Sequence, residues 1–189
     1  MSNIIPIVYQ QSRYGERNSD IFSYHLNKNR IVFLTDTIDV ITAENIIAQL
    51  LYLDDTGDND IWLYINSHGG SVVDGLSIYD CMNNLHCRVN TMVTGQAASM
   101  GAVILSSGYK RYAYYNATIM AHQVSSIAVG KEIDMEISMA QTKSLNERLM
   151  NILAKNCNKS FDEIMRITDR DYFMTAKEAL SFQLIDKII

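Results

Sequence analysis

Three short apolar runs, separated by segments with helical spacing, constrain the fold of this chain more than any other feature of its sequence. The runs RIVFL, DIWLYIN and RVNTMVTG have the length and composition of buried strands. Between them, residues 42–53 and the stretch VVDGLSIYDCMNNL repeat apolar residues at helical spacing. Two parallel neighbouring strands need a connection of a dozen or more residues, which is usually a helix. Strands that alternate with helices are therefore expected to run parallel. The pattern therefore predicts an α/β fold with a mostly parallel sheet and βαβ crossovers.

The second half of the chain continues the alternation and adds a long helix. Residues 98–108 are predicted to form a helix after the third strand, and RYAYY and ATIMA are predicted as two further β stretches. The segment 131–157 keeps helical spacing over about twice the average helix length. Such a helix suggests contact with another copy of the chain. Ser160-x-x-Glu163 and Thr175-x-x-Glu178 match capping boxes and predict two shorter helices, with RDYFM as a link between them.

The length and the even composition of the chain predict one domain. The chain has 189 residues, of which 48% are hydrophobic and 20% charged. About 100 to 200 residues is usual for a domain. No repeat, low-complexity segment or Gly/Ser-rich linker divides the sequence. We therefore expect a single domain over residues 1–189 with an N-terminal segment at 1–18.

Charge, apolar runs and cysteine spacing limit the partners and the location. The formal net charge of -5 provides no general attraction to nucleic acid or to an anionic membrane. No run of about 18 apolar residues is found, and the first residues lack the features of a secretory signal. Cys81, Cys87 and Cys157 lack the C-x-x-C spacing of zinc sites. We expect a cytoplasmic protein that binds no metal, nucleic acid or membrane.

Ser99 stands where an apolar strand gives way to a predicted helix, in the stretch VTGQAASMGAVILSSG. A serine becomes a nucleophile when a base takes its proton and a third group orients that base. His68 and His122 each follow an apolar strand, and side chains at the carboxyl ends of parallel strands converge on one crevice. His122 is the better candidate for the base, because it ends the strand that comes next to the Ser99 unit in sequence order. His68 is followed at once by two glycines that have another plausible role. Asp171, in the stretch DRDYF, is the candidate for the orienting acid.

Two backbone amides near Ser99 are candidates for binding a developing oxyanion. Gly69 and Gly70 carry no side chain that would block the approach of another backbone. The N–H of Met100 would start the helix and therefore has no intrahelical partner. The small residues around Ser99 would let a peptide come within about 3 Å of the nucleophile. The alternative is that these small residues only allow tight packing between helix and strand.

Four motifs resemble, in order and spacing, those of the proteolytic subunit of the Clp protease (ClpP). They are YINSHGGSVVDGLSIYD, GQAASMGA, MAHQV and DRDYFMTAKEALSFQLID, and the similarity covers essentially the whole chain. The resemblance implies a ClpP/crotonase-like fold with a protruding handle helix, the handle region spanning about 123–157. It also implies an ATP-dependent serine endopeptidase in which Ser99 is the nucleophile, His122 the base and Asp171 the orienting acid. Gly70 and Met100 match the positions of the oxyanion-hole amides.

The resemblance further implies an assembly and an energy-coupling partner. Subunits of this family stack as two heptameric rings. The rings expected here would consist of this chain alone or of this chain together with a paralogue. Asp169 and Arg170 match residues of inter-ring ion pairs. Unfolded polypeptides would be delivered by an AAA+ unfoldase of the ClpX, ClpA or ClpC type. No cofactor is expected, since AVGKE lacks the features of a phosphate-binding loop.

The run DIWLYIN also carries aromatic residues on the face opposite its aliphatic ones. Ile61, Leu63 and Ile65 alternate with Trp62 and Tyr64, which predicts a core face and an outer aromatic face. An exposed aromatic patch suggests a docking site for a partner, and burial in a subunit interface is the alternative. The resemblance points to Tyr64, Met92 and Tyr114 as contacts of the unfoldase.

The chain departs from the family pattern at several positions near the expected site. It has NSHGG where N-S-P-G-G is usual and HQV where H-Q-P is usual, and Ser126 and Ile127 stand where glycines are common. We expect these departures to alter substrate preference or the balance between active and inactive states. Two alternatives remain open, which are a weakly active or regulatory subunit of a mixed ring and an acyl-CoA enzyme of the crotonase group.

Overall fold

The chain alternates strands and helices along most of its length, in a computed structural model that describes residues 5–12 and 15–189. Nine strands and seven helices are found within these residues. In chain order they are β1 (Ile7–Ser12), β2 (Gly15–Asp20), α1 (Ile21–Asn29), β3 (Ile31–Leu34), α2 (Val40–Asp55), β4 (Ile61–Ser67), α3 (Val72–Asn84), β5 (Val89–Ala98), α4 (Met100–Ser106), β6 (Arg111–Ala113), β7 (Thr118–Ala121), α5 (Glu132–Asn156), α6 (Phe161–Ile167), β8 (Tyr172–Thr175), α7 (Ala176–Ser181) and β9 (Lys187–Ile188).

A seven-stranded, mostly parallel sheet forms the centre of the fold. Strands β3, β4, β5, β6 and β9 lie side by side in that order, and each pair is parallel. Strand β7 pairs in parallel with the last residues of β5, and β8 pairs antiparallel with β7. Helices connect the parallel strands β3, β4 and β5 as the sequence pattern predicted. The predicted α/β class with a mostly parallel sheet is confirmed.

The stretch RDYFM was wrongly predicted as a link between two helices. Residues 172–175 form β8, which adds an antiparallel strand beside β7. Burial explains the strand, because Met174 is inaccessible to solvent whereas Phe173 on the opposite face is exposed. Four residues are too few to display this alternation clearly in the sequence.

The N-terminal segment predicted at 1–18 lies partly outside the described residues, since positions 1–4 and 13–14 are not among them. Its described part pairs β1 with β2 in an antiparallel hairpin. Sequence inspection missed this hairpin because β2 is polar and both strands are exposed over much of their length. Helix α1 follows the hairpin, and the Asp20 side chain caps its start by accepting hydrogen bonds from the Phe22 and Ser23 N–H groups.

Alternate residues of β3, β4 and β5 face the core from the same side of the sheet, and α4 is the most enclosed helix of this core. The alternation predicted for β4 is present, since its aliphatic residues Ile61, Leu63 and Ile65 are inaccessible while the aromatic ones are partly exposed. All residues of α4 are buried. Helix α4 starts directly after Ser99, so the backbone that positions this serine is surrounded by packed residues.

The long helix α5 is buried at one end and exposed at the other. Its last turns bury Leu149, Met150 and Leu153 against the core. Its first half leaves Ile133 and Ile137 exposed, at 60% and 63% of their surface. The helix therefore extends beyond the core of this chain with apolar side chains that nothing in the described residues covers.

The two predicted capping boxes differ in the structure, although a helix starts at each. Thr175 accepts from the Glu178 N–H, and the Glu178 carboxylate accepts from the Thr175 N–H, which completes the box. Ser160 accepts from the Glu163 N–H, but the Glu163 carboxylate accepts from Lys159 at 2.8 Å. Of these two motifs only the one at Thr175 is a reciprocal box, because the neighbouring Lys159 cation binds the Glu163 carboxylate of the other.

The carboxylate of Asp54 fixes the loop that leads into β5. It accepts hydrogen bonds from the Cys87 N–H at 2.8 Å and from the His86 N–H at 3.3 Å. Hydrogen bonds to a carboxylate stabilise its charged form. The Cys87 N–H, and secondarily the His86 contacts, lower the pKa of Asp54 to about 2. The start of the strand that ends at Ser99 is thus held by a charged side chain of α2.

We predict that the free energy of unfolding decreases less at low pH in Asp54→Asn than in the wild type. The folded-state pKa lies below the value of an unfolded chain, so the stabilisation is complete above about pH 4 and is lost as the pH falls towards about 2. The free energy of unfolding of the wild type should therefore drop across this range more steeply than that of the variant. Urea denaturation at a series of pH values measures this difference. Asp55→Asn removes the same charge from an exposed neighbour and should leave the slope unchanged.

Candidate active site

Ser99 lies at the junction of β5 and α4 in an unusual backbone conformation. Its φ is 56° and its ψ is -122°, a combination that is rare for residues other than glycine. Its N–H donates to the carbonyl of Met120 at 2.8 Å, and its carbonyl accepts from the first turn of α4. Its side chain does not cap the helix. Backbone strain of this kind occurs often at functional sites, where the surrounding structure enforces it.

His122 and Asp171 form a hydrogen-bonded chain with Ser99. The Nε2 atom of His122 lies 2.8 Å from the Ser99 Oγ, and its Nδ1 atom lies 3.1 Å from the Asp171 Oδ1. A carboxylate can only accept, so the proton of the neutral imidazole belongs on Nδ1 and donates to Asp171. The lone pair of Nε2 then faces the serine hydroxyl, which donates to it. This tautomer can take a proton from Ser99.

The strand register accounts for this alignment. His122 directly follows β7, and Asp171 directly precedes β8. The antiparallel pairing sets Ala121 opposite Tyr172, so the two polar residues sit side by side at the end of the pair. The parallel pairing of β5 with β7 sets Ala98 opposite Met120 and so places Ser99 near the same end. The structure brings together all three residues of the predicted set.

The two predicted amides border the same site. The N–H of Met100 starts α4 and donates to no acceptor within the described residues. Gly70 forms a β-bridge with Ile38. In this bridge the Ile38 N–H donates to the Gly69 carbonyl, and the Ser71 N–H donates to the Ile38 carbonyl. This pattern leaves the Gly70 N–H unused among residues 5–12 and 15–189. Both amides are therefore available to bind an oxygen that develops negative charge.

The turn at Gly69 packs directly against Ser99 and Met100. A Cβ atom at residue 69 would lie 2.8 Å from the Ser99 Cβ and 3.0 Å from the Met100 N. The φ of Gly69 is 96°, which side chains rarely allow. Glycine is thus required here both for the turn and for its close contact with the serine.

A small cleft with both polar and aliphatic lining adjoins the hydroxyl of Ser99. Ala121, His122 and the residues that follow form one wall, and the ends of α3, α4 and α5 contribute aliphatic side chains. The aliphatic residues are Val72, Val103, Leu149 and Leu153. The aliphatic part of this lining can contact an apolar side chain.

Of the other residues that the sequence pointed to, His68, Asp169 and Arg170 lie at the surface. His68 is exposed, and its Nε2 atom lies 3.0 Å from the Thr37 Oγ1. Asp169 and Arg170 are exposed and face each other at 3.7 Å. His86 is also exposed, whereas His25 is partly buried and contacts the Phe33 ring edge-on.

The predicted docking residues differ in how far they are exposed. Tyr114 is 42% exposed, and Tyr64 is half-buried with its ring edge-on to Phe33. Met92 is only 3% exposed, because β5 lies in the middle of the sheet and the register sets Met92 between Tyr64 of β4 and Tyr112 of β6 on the same face. The prediction for Met92 is therefore corrected, since its side chain cannot reach a partner in this conformation.

Sequence inspection missed the residues that hold the segment after His122. The Gln123 N–H donates to the Thr168 carbonyl at 3.2 Å, and its side-chain amide donates to the Met165 carbonyl at 3.1 Å. The Val124 N–H donates to the Asn146 Oδ1 at 2.9 Å. These partners are at least 22 residues away along the chain, and no local sequence signal marks them.

The cysteines are not candidates for a nucleophile. Burial raises the pKa of the Cys157 thiol to about 11, and burial also raises the pKa of the Cys87 thiol. A thiol becomes reactive as the thiolate, which a raised pKa disfavours. Within the described residues no group of three or more His, Cys, Asp or Glu side chains could hold a metal ion. Nor does any helix in this part of the chain combine the length and apolarity required to span a membrane.

The arrangement of a hydroxyl, an imidazole, a carboxylate and two free amides can support acyl transfer through a serine nucleophile. The family model described as Clp protease matches residues 13–189. The chain therefore belongs to the Clp protease family. Membership supports a role as a serine peptidase and agrees with the mixed α/β fold. The match also argues against the crotonase-type alternative.

We predict that Gly69→Ala destabilises the fold by more than about 1 kcal/mol, because the new Cβ meets backbone atoms in an unfavourable conformation. Gly130→Ala is the matched control. Gly130 also has a positive φ, of 145°, but the atom nearest to a Cβ added there is the Asp134 Cβ at 3.8 Å. Unfolding in urea compares the two variants. Equal losses would mean that backbone strain alone, and not the contact with Ser99, explains the effect.

Proposed function

We propose that this chain is the proteolytic subunit of an ATP-dependent serine endopeptidase, with a single peptidase domain over residues 1–189. The observation that carries the proposal is the hydrogen-bonded chain from Ser99 through His122 to Asp171, with the Gly70 and Met100 amides beside it. The reaction is hydrolysis of unfolded polypeptides to short peptides.

The proposed reaction proceeds by acyl transfer. The Ser99 Oγ attacks a peptide carbonyl while His122 takes its proton, and the carbonyl oxygen becomes an oxyanion that accepts from the amides of Gly70 and Met100. His122 then gives the proton to the leaving amine, whose C–N bond breaks to leave an acyl-enzyme on Ser99. Water, activated by the same imidazole, hydrolyses the ester and frees the serine. Asp171 keeps the imidazole in the required tautomer throughout.

The aliphatic cleft beside Ser99 would receive the side chain next to the scissile bond. Its lining by Val72, Val103, Leu149 and Leu153 favours an apolar residue at this position.

Two surface features support assembly into rings. The first half of α5 exposes Ile133 and Ile137, which a stable protein normally covers. Asp169 and Arg170 are exposed close to Asp171, so contacts made by this pair with a second ring would lie next to the site. We propose two stacked heptameric rings that enclose a chamber, made of this chain alone or together with a paralogue.

An AAA+ unfoldase of the ClpX, ClpA or ClpC type would deliver substrates to this chamber in the cytoplasm. The chain shows no phosphate-binding loop, so the energy for unfolding must come from a partner. Tyr114 is exposed, and Tyr64 is partly accessible on the same sheet, which supports a docking role for these two tyrosines. The proposal does not include Met92.

We predict that Ser99→Ala, His122→Ala and Asp171→Asn each lower the turnover of short fluorogenic peptides by several orders of magnitude. The three side chains act as one unit, so the double variant of Ser99 and His122 should lose little more than either single variant. Labelling by a fluorophosphonate should occur in the wild type and be absent from Ser99→Ala. Ser77→Ala is a control, because this exposed hydroxyl bonds only to its own helix.

The alternative is a weakly active or regulatory subunit of a mixed ring. It predicts a double ring that neither turns over peptides nor reacts with the fluorophosphonate until a paralogue is added. A confirmed double ring with no turnover by this chain, alone or with a partner ring, would contradict the proposed activity.

We predict that the double variant Asp169→Ala/Arg170→Ala releases single rings from stacked ones. Removing these exposed charges should weaken the ring contact while leaving the fold intact, because neither side chain is buried. Native mass spectrometry at several salt concentrations measures the populations. Asp162→Ala/Arg166→Ala removes an exposed pair of charges on α6 and should leave the stacking unchanged. Stacked rings that persist in the first variant would exclude this role for the pair.

A further inference from the structure

The segment that follows His122 is tied to helix α5 by side chains one turn apart. The Val124 N–H donates to the Asn146 Oδ1 at 2.9 Å, and the Asn146 Nδ2 lies 3.4 Å from the Gln123 Oε1. The Ser126 Oγ lies 3.0 Å from the Thr142 Oγ1. Residues 142 and 146 are four apart in α5 and so share one face of the helix. This face runs alongside residues 123–126.

Asn146 accepts a hydrogen bond from the Val124 N–H, which has no partner in the sheet. Strand β7 ends at Ala121, so the Val124 N–H has no ladder partner. Val124 is partly buried and packs against the core, where a donor without an acceptor is costly. The Asn146 side chain supplies the acceptor and, through its amide group, a second contact to Gln123.

We propose that Asn146 is a positioning residue that holds the imidazole of His122 at Ser99. The inference rests on the proposed function, in which His122 is the general base. Asn146 touches no reacting atom and acts through the backbone of Val124.

The restraints on His122 come from two sides of its segment. On one side the pairing of β7 with β8 and the bond from the Gln123 N–H to the Thr168 carbonyl fix its distance from Asp171. On the other side α5 holds the segment through the bond from the Val124 N–H to Asn146 and, further along the chain, through the contact of Ser126 with Thr142. Asn146 is the restraint nearer to His122, so its removal lets residues 123–125 turn away from α5, and the 2.8 Å contact between His122 and Ser99 lengthens.

Asn146 also connects the base to the cleft. Leu149 and Leu153 lie three and seven residues further along α5, on the same face, and line the cleft beside Ser99. One face of one helix therefore holds both the segment of the base and the pocket for the neighbouring side chain. A shift of α5 would move both together.

The test compares three variants of asparagines in α5. Asn146→Leu removes the acceptor at similar size, and Asn146→Asp keeps an acceptor oxygen in the same place. Asn151→Leu is the matched control, because Asn151 is exposed and its side chain bonds only to the Glu147 carbonyl of its own helix. Each assembled protein is assayed for kcat and KM with a fluorogenic peptide and for the rate at which Ser99 reacts with a fluorophosphonate.

We expect Asn146→Leu to lower kcat and the labelling rate on the order of tenfold, since small displacements of a catalytic group are costly. KM should change less than kcat. Asn146→Asp should recover most of the lost rate. A role in stability alone would lower the melting temperature of Asn146→Leu and leave both rates of the folded protein unchanged. Unchanged rates in Asn146→Leu, or an equal loss in Asn146→Asp, would overturn the proposal.

A crystal structure of Asn146→Leu gives a readout that does not need turnover. We expect the distance from the His122 Nε2 to the Ser99 Oγ to exceed about 3.5 Å, beyond hydrogen-bond range. An unchanged contact would overturn the inference even if the wild type is inactive. An inactive, unlabelled wild type with a displaced imidazole in the variant would contradict the proposed function and still support the role of Asn146.

Discussion

The register of three strands is the constraint on which the candidate site depends. Strand β7 lies between the end of β5 and the antiparallel β8, and each strand places one polar residue just beyond its paired end. A shift of one residue in either pairing would turn the side chains to the opposite face of the sheet. The hydrogen bonds among Ser99, His122 and Asp171 therefore follow from backbone pairing that buried neighbours such as Ile119 and Met174 hold in place.

The conformation of Ser99 is maintained by packing around its backbone. Helix α4 is buried along its whole length, and the glycine turn at 69–70 presses against the serine from the neighbouring strand. These contacts offset the cost of a positive φ at a residue with a side chain. The same enclosure leaves two amide groups unpaired, within the described residues, beside the hydroxyl. An additional negative charge on a ligand oxygen would be stabilised there by fixed dipoles.

Helix α5 links the site to the outside of the chain. Its last turns form part of the cleft and of the core, and its middle holds the backbone after His122 through Asn146. Its first half extends away with exposed isoleucines, which suits contact with a second subunit. A change in how α5 is held by such a contact would thus reach the proposed base through the hydrogen bonds of Asn146 and Thr142 to the segment after His122.

The sequence by itself determined the α/β class, the parallel strands, the long helix and the identity of the polar residues at the strand ends, because these depend on local periodicity and on motif order. Only the tertiary structure decided that residues 172–175 form a strand, that Met92 is buried, that Ser160 makes half a capping box and that Asn146 bonds to Val124. Each of these depends on partners far along the chain or on the competition of a neighbouring charge. Local spacing carries no information about such contacts, since they form only when the sheet and helices pack.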